Sequence, residues 1–128
     1  MADASAPQII FASVDHPITT DLAIIHSNET FVVNWAASNI GQQDSPDFQD
    51  ELVVSNIPEG CPGRDGEEHP VLFDSSFDEA PIPAGKLGPQ MQATVGPLPT
   101  GSYRLTVTLA KGLADTATFN CIDVVDPV

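Results

Sequence analysis

Cations are scarce in this chain. Four Lys plus Arg stand against 18 Asp plus Glu among 128 residues, a formal net charge of −14 at pH 7. Binding to nucleic acid is excluded on that ground, because each phosphate contact needs a cation to replace the counterion it releases. A basic helix lying on a membrane surface is excluded likewise. Long apolar runs are missing too: none approaches the roughly 18 residues that a membrane span requires, so no membrane insertion is expected. There is no Gly-x-Ser-x-Gly elbow, no His-Glu-x-x-His helix and no phosphate-cradling glycine loop. With one Trp and one Tyr, a sugar-stacking platform is thin. The expectation is a chain without catalytic residues.

Ile, Leu, Val and Phe together number 34, above the one-fifth level below which highly charged chains tend to stay disordered. The chain is therefore expected to fold, as one domain at this length. Twelve prolines and nine glycines cut it into short pieces, and no apolar pattern at helical spacing survives for three turns. An all-β fold follows. Residues 1–8 read as an N-terminal extension, 9–125 as the domain and 126–128 as a tail.

Phe31–Asn39 is the clearest strand: Phe31, Val33, Trp35 and Ala37 share one face by the two-residue period, and Asn34, Ala36 and Ser38 the other. Further strands are predicted at Ile9–Val14, Phe48–Ile57, Gln90–Val95, Ser102–Lys111 and Asp115–Val125. A short edge strand is placed at Asp21–His26, and another around Val71–Asp74 inside a long Pro/Gly-punctuated connection from Pro58 to Pro89. About seven antiparallel strands at this spacing predict a Greek-key, immunoglobulin-like sandwich. In Leu98-Pro99-Thr100-Gly101-Ser102-Tyr103, a Tyr two residues after a Gly at a strand entry has the pattern of a tyrosine corner.

Cys61 and Cys121 are too far apart for a zinc or Cys-x-x-Cys site, which leaves one disulfide or two buried thiols. The strand order makes the bridge geometrically accessible. If Phe48–Ile57 and Asp115–Val125 flank Ser102–Lys111 antiparallel, both finish at one end of the sheet. The Glu59–Gly63 loop then has to fold over that end to bring Cys61 to Cys121. The first seven residues have neither a basic nor an apolar region and are not a signal peptide, although Ala4-Ser5-Ala6 resembles the small-residue end of a cleavage site.

Phe31-Val32-Val33-Asn34-Trp35-Ala36-Ala37-Ser38-Asn39-Ile40-Gly41, the polar turn with Ser45-Pro46, and the strand from Phe48 resemble the opening strands of CARDB-type domains. These are bacterial immunoglobulin-like modules related to cell adhesion. Ile82-Pro83-Ala84-Gly85 looks like that family's middle turn and Gly101-Ser102-Tyr103-Arg104-Leu105-Thr106-Val107 like its penultimate strand. The end departs from the pattern: Thr116-Ala117-Thr118-Phe119-Asn120-Cys121-Ile122-Asp123-Val124 replaces the usual acidic, Asn-rich finish. The resemblance, over residues 9–125, implies an adhesion-related extracellular module.

Eleven acids and one base, Arg64, lie between Asp44 and Glu79. A solvated acidic face, docking onto a cationic partner and calcium binding by Asp44, Asp47, Asp50 and Glu51 are the readings of this cluster. No cofactor other than Ca²⁺ is suggested. Arg64, Asp65, Glu67, Glu68 and His69 form a candidate contact loop, and Asn28-Glu29-Thr30 is a glycosylation sequon at a predicted turn. The expected function is that of a noncatalytic adhesion, spacer or assembly module at a cell or particle surface, with a protein partner or self-association. The alternatives are a calcium- or small-ligand-binding module using the 44–79 acids, and a capsid-decoration or filament subunit.

Overall fold

A computed structural model describes residues 7–61, 70–113 and 115–127. Among the described residues nine strands build two sheets: β1 (Ile9–Phe11), β2 (Thr19–Thr20), β3 (Ile25–His26), β4 (Phe31–Asn39), β5 (Phe48–Asn56), β6 (Val71–Glu79), β7 (Leu87–Val95), β8 (Gly101–Leu109) and β9 (Thr116–Val125). In the first sheet β4 is central, with β7 on one edge and β1 and β2 on the other, all antiparallel. The second sheet runs β3-β9-β8-β5-β6, antiparallel except for β3, which lies parallel to the end of β9. The chain changes sheet at β2 to β3, β3 to β4, β4 to β5, β6 to β7 and β7 to β8, crossings that suit a Greek-key sandwich.

Alternation along the strands decides what is inside. β4 turns Phe31, Val33, Trp35 and Ala37 inward, each at most 2% exposed. From the facing sheet come Leu52 and Val54 of β5 and Tyr103, Leu105, Val107 and Leu109 of β8. Truncating an aromatic as deeply packed as Trp35 to Ala would cost about 3–5 kcal/mol. Ile82, in the connection from β6 to β7, plugs the end of this core and lies so near Gly88 that a Cβ there would sit 2.6 Å from its Cδ1.

Side chains close the two diagnostic turns. Asn39 Oδ1 accepts the N–H of Gly41 (3.0 Å), while its Nδ2 donates to the carbonyls of Gln43 and Ile82. The Asn-x-Gly turn is thereby tied to the segment that closes the core. The tyrosine corner is present: the Tyr103 hydroxyl donates to the Pro99 carbonyl at 2.6 Å.

The predicted all-β sandwich is present, with corrections to its parts. Two of the nine strands are two-residue bridges, so seven longer ones remain. Of the Asp21–His26 edge strand only Ile25–His26 forms, as β3 on β9, while a separate two-residue piece just before it, β2, lies on β4 in the other sheet. β1 stops at Phe11, and residues 12–16 are exposed. The largest correction concerns Pro58–Pro89, which holds the whole of β6, nine residues paired along nearly all of β5.

β5 and β9 flank β8 antiparallel, as expected. Cys61 reaches Cys121 in a disulfide with a Cα–Cα distance of 5.7 Å. Ile57 starts the crossing by donating its N–H to the Ser102 carbonyl.

Candidate functional site

The acids between Asp44 and Glu79 are sorted by the pleat of β5 and β6. Neighbouring residues on a strand point to opposite faces. Asp50 therefore enters the core while Glu51 stands on the outer face of the same strand. Asp50 is fully buried and both its oxygens accept: Oδ2 from Trp35 Nε1 (3.0 Å) and Oδ1 from the Ala110 N–H (3.1 Å). The second bond holds Ala110 in the left-handed region, φ 50°, where the chain turns from β8 toward β9. Trp35 is also packed edge-on against Phe77 of β6, centroids 5.3 Å apart.

Glu79 is the diagonal neighbour of Asp50. β5 and β6 pair Phe48 with Glu79 and Asp50 with Phe77, so Asp50 and Glu79 share the inner face. Glu79 is 2% exposed, and its carboxyl oxygens meet no N–H or O–H donor among the described residues. Burial, and then the adjoining Asp50 through a shared hydrogen bond and like-charge repulsion, push its pKa up to about 9. Asp50 already serves two N–H donors, so the proton of the pair resides on Glu79. The pair lies beneath a groove of about 540 Å³ lined by Asp47, Phe48, Gln49, Asp78, Glu79 and Ala80.

The outer face carries the rest. Glu51 pairs with Lys111 at 2.6 Å. Asp74 lies diagonally across from it, and its pKa is raised by desolvation and by the Glu51 charge. Asp78 accepts from Gln49 Nε2 at 2.8 Å. Farther across the sheet the Arg104 guanidinium stacks over the Phe119 ring, 4.7 Å from its centroid.

The proposed calcium set is not assembled. Asp44 accepts the Ala84 N–H, Asp47 lines the groove, Asp50 is committed to Trp35 and Ala110, and Glu51 faces the opposite way with Lys111. Calcium takes six to eight oxygens converging on one point. These four carboxylates do not fit it, and no group of three or more His, Cys, Asp or Glu is placed for a metal among the described residues. Arg64, Asp65, Glu67, Glu68 and His69 lie outside the described residues. Asn28 is exposed on the turn that His26 and Glu29 close with a 2.7 Å Nδ1–Oε1 contact. Reading Asp50 and Glu79 only as members of an acidic cluster missed the buried pair. The two-residue period through Phe48, Leu52 and Val54 was the signal that sends Asp50 inward.

No family model matches the sequence, and no curated protein matches it. Solved structures do. One is the CARDB domain of a Pyrococcus furiosus protein, solved in complex with di-metal ions: 10% identity, TM-score 0.65, covering 98% of this chain and 100% of that one. Others are a β-glucosidase of Erythrobacter marinus (11% identity, TM-score 0.60) and one of Bifidobacterium adolescentis (12%, 0.56). They align with 93% and 92% of this chain but only 16% and 17% of their own. At such identities the likeness establishes architecture alone: the chain has the fold of a CARDB-like, immunoglobulin-type β-sandwich.

Proposed function

We propose that this protein is a noncatalytic contact module of an extracellular or particle surface, serving adhesion, spacing or assembly through a protein partner. The observation that carries the reading is the Cys61–Cys121 disulfide across a CARDB-like sandwich. Disulfides persist in oxidising compartments, and one that ties a loop to a strand preserves a surface outside the cell. The two inward carboxyls support the same reading. Asp50 is engaged by Trp35 and Ala110, and Glu79, although it lines the groove, is only 2% exposed, which supports neither serving as an acid–base group for a substrate.

The test is binding of fluorescently labelled, disulfide-intact protein to the surface of the cells that express it, run beside a panel of chromogenic glycosides and esters. Saturable surface binding without turnover is the expected result. Turnover of any substrate at enzymatic rates, or surface binding that fails to saturate, overturns the reading.

A further inference from the structure

β6 is a long edge strand, uncovered among the described residues, whose pairing with β5 shifts register between Val54 and Ser55. Natural edges are blunted by being short, by Pro, by Lys or by a covering segment. β6 is nine residues long, contains no Pro, Gly or Lys, and has β5 as its sole strand neighbour among the described residues. The other edges are managed. β7 carries Pro89, and its pairing with β4 is interrupted between Ala36 and Ser38. The end of β9 is covered by β3, and residues 15–18 lie beside Phe119 and Asn120 farther along the strand.

The side chains of β6 say what fits there. Its outer face presents Leu72, Asp74, Ser76 and Asp78, all exposed, and its inner face leaves Phe73 and Phe77 half-covered. On their outer face β5 and β6 present three acids, Glu51, Asp74 and Asp78, and no Lys or Arg. Lys111 pairs with Glu51 and also draws on Asp74, but desolvation and the Glu51 charge outweigh it and leave the Asp74 pKa raised.

We propose that the free edge of β6 takes up an extended, basic segment of a partner protein as an additional antiparallel strand. This deepens the contact-module reading and rests on it. Strand addition draws its affinity from main-chain hydrogen bonds and its specificity from alternate side chains. Cross-strand geometry dictates the pattern. Residues of the incoming strand opposite Asp78 and Asp74 are Lys or Arg, four positions apart, and an apolar residue two positions later meets Leu72. The inward-facing positions between them are apolar and complete the cover over Phe77 and Phe73, and the outward one meets Ser76. A second copy of this chain does not meet that pattern, because it brings a net charge of −14 and an edge with two more aspartates.

The probe is the peptide Thr-Lys-Val-Ser-Val-Lys-Val-Leu-Thr, titrated by fluorescence anisotropy against the intact protein, with backbone amide exchange as the second readout. The expected result is saturable binding that protects amides of Val71–Glu79 and weakens as salt is raised. Asp74→Lys with Asp78→Lys should weaken it at least tenfold. Ser76→Pro, checked for folding by circular dichroism, should abolish it by breaking the backbone pairing. Equal binding of a scrambled peptide of the same composition overturns the proposal, as does protection located elsewhere. Dimerisation of the free protein with protection of β6 assigns the edge to a second copy instead. Failure here is separable from failure of the module reading. If the double Lys variant still binds the cell surface as the parent does, the edge is wrong and the module stands; if the parent never binds saturably, the module reading itself has failed.

Discussion

Replacing Glu79 by Gln converts the buried carboxyl pair into a measurable proton. In the folded protein Glu79 has a pKa of about 9, against 4.5 for the ordinary side chain. Between those values the unfolded chain has released this proton while the folded chain keeps it. Folding therefore takes up a proton, and the stability contributed by the protonated pair, complete below pH 4.5, is lost as pH rises toward 9. The slope for one full proton is about 1.4 kcal/mol per pH unit. From pH 5 to pH 8 the loss is about 4 kcal/mol, a large share of the stability of a domain this size.

Gln is close in shape, donates to Asp50 from its amide and does not titrate. Urea unfolding of parent and Glu79→Gln, disulfide intact, at intervals from pH 5 to pH 8, isolates the Asp50–Glu79 pair, because every carboxylate outside that pair is common to both proteins and cancels in the difference. The expected outcome is a parent that loses stability relative to the variant by about 4 kcal/mol across that range. Parallel curves, with a difference constant to within about 0.5 kcal/mol, would refute the buried protonated pair.

Reducing the Cys61–Cys121 bridge, or replacing both cysteines by Ser, opens a loop of 60 residues' separation and should cost about 4 kcal/mol, read as a lower urea midpoint. Tyr103→Phe removes the donor to the Pro99 carbonyl and is expected to lose about 1 kcal/mol with the fold unchanged by circular dichroism. Gly96→Ala should cost more than Gly85→Ala in thermal melts. Both glycines have positive φ (100° and 71°), but a Cβ on Gly96 would stand 3.0 Å from the Glu29 carbonyl oxygen, whereas nothing lies within 4 Å of one on Gly85.

Strands were legible where hydrophobic alternation was strict. Phe31–Asn39 is predicted to the residue because every second side chain from Phe31 to Ala37 is apolar and buried. β6 was half-legible for the opposite reason. Its inner face reads Phe73, Ser75, Phe77, Glu79 and its outer face Leu72, Asp74, Ser76, Asp78, so polarity no longer separates the faces, and the acids at its end look like loop. What rescues those residues as a strand is pairing with β5, a long-range property that local sequence does not carry. The same holds for Glu79, whose burial follows from its place opposite Phe48. The disulfide was accessible from strand order because both cysteines follow from the neighbours of one strand, β8.

The Cys61–Cys121 bridge has a mechanical consequence for a chain held at its two ends. A pulling force travels along the covalent path, and that path jumps from Cys61 to Cys121, bypassing β6, β7 and β8. Along the covalent path those strands are bypassed, so they cannot be pulled out as extended chain while the bridge is intact. At about 3.5 Å per residue the fully extended chain would span about 450 Å, of which about 200 Å lies inside the closed loop and is withheld. Under load the protein behaves as a short tether with a protected interior, and the edge of β6 stays within the bypassed part.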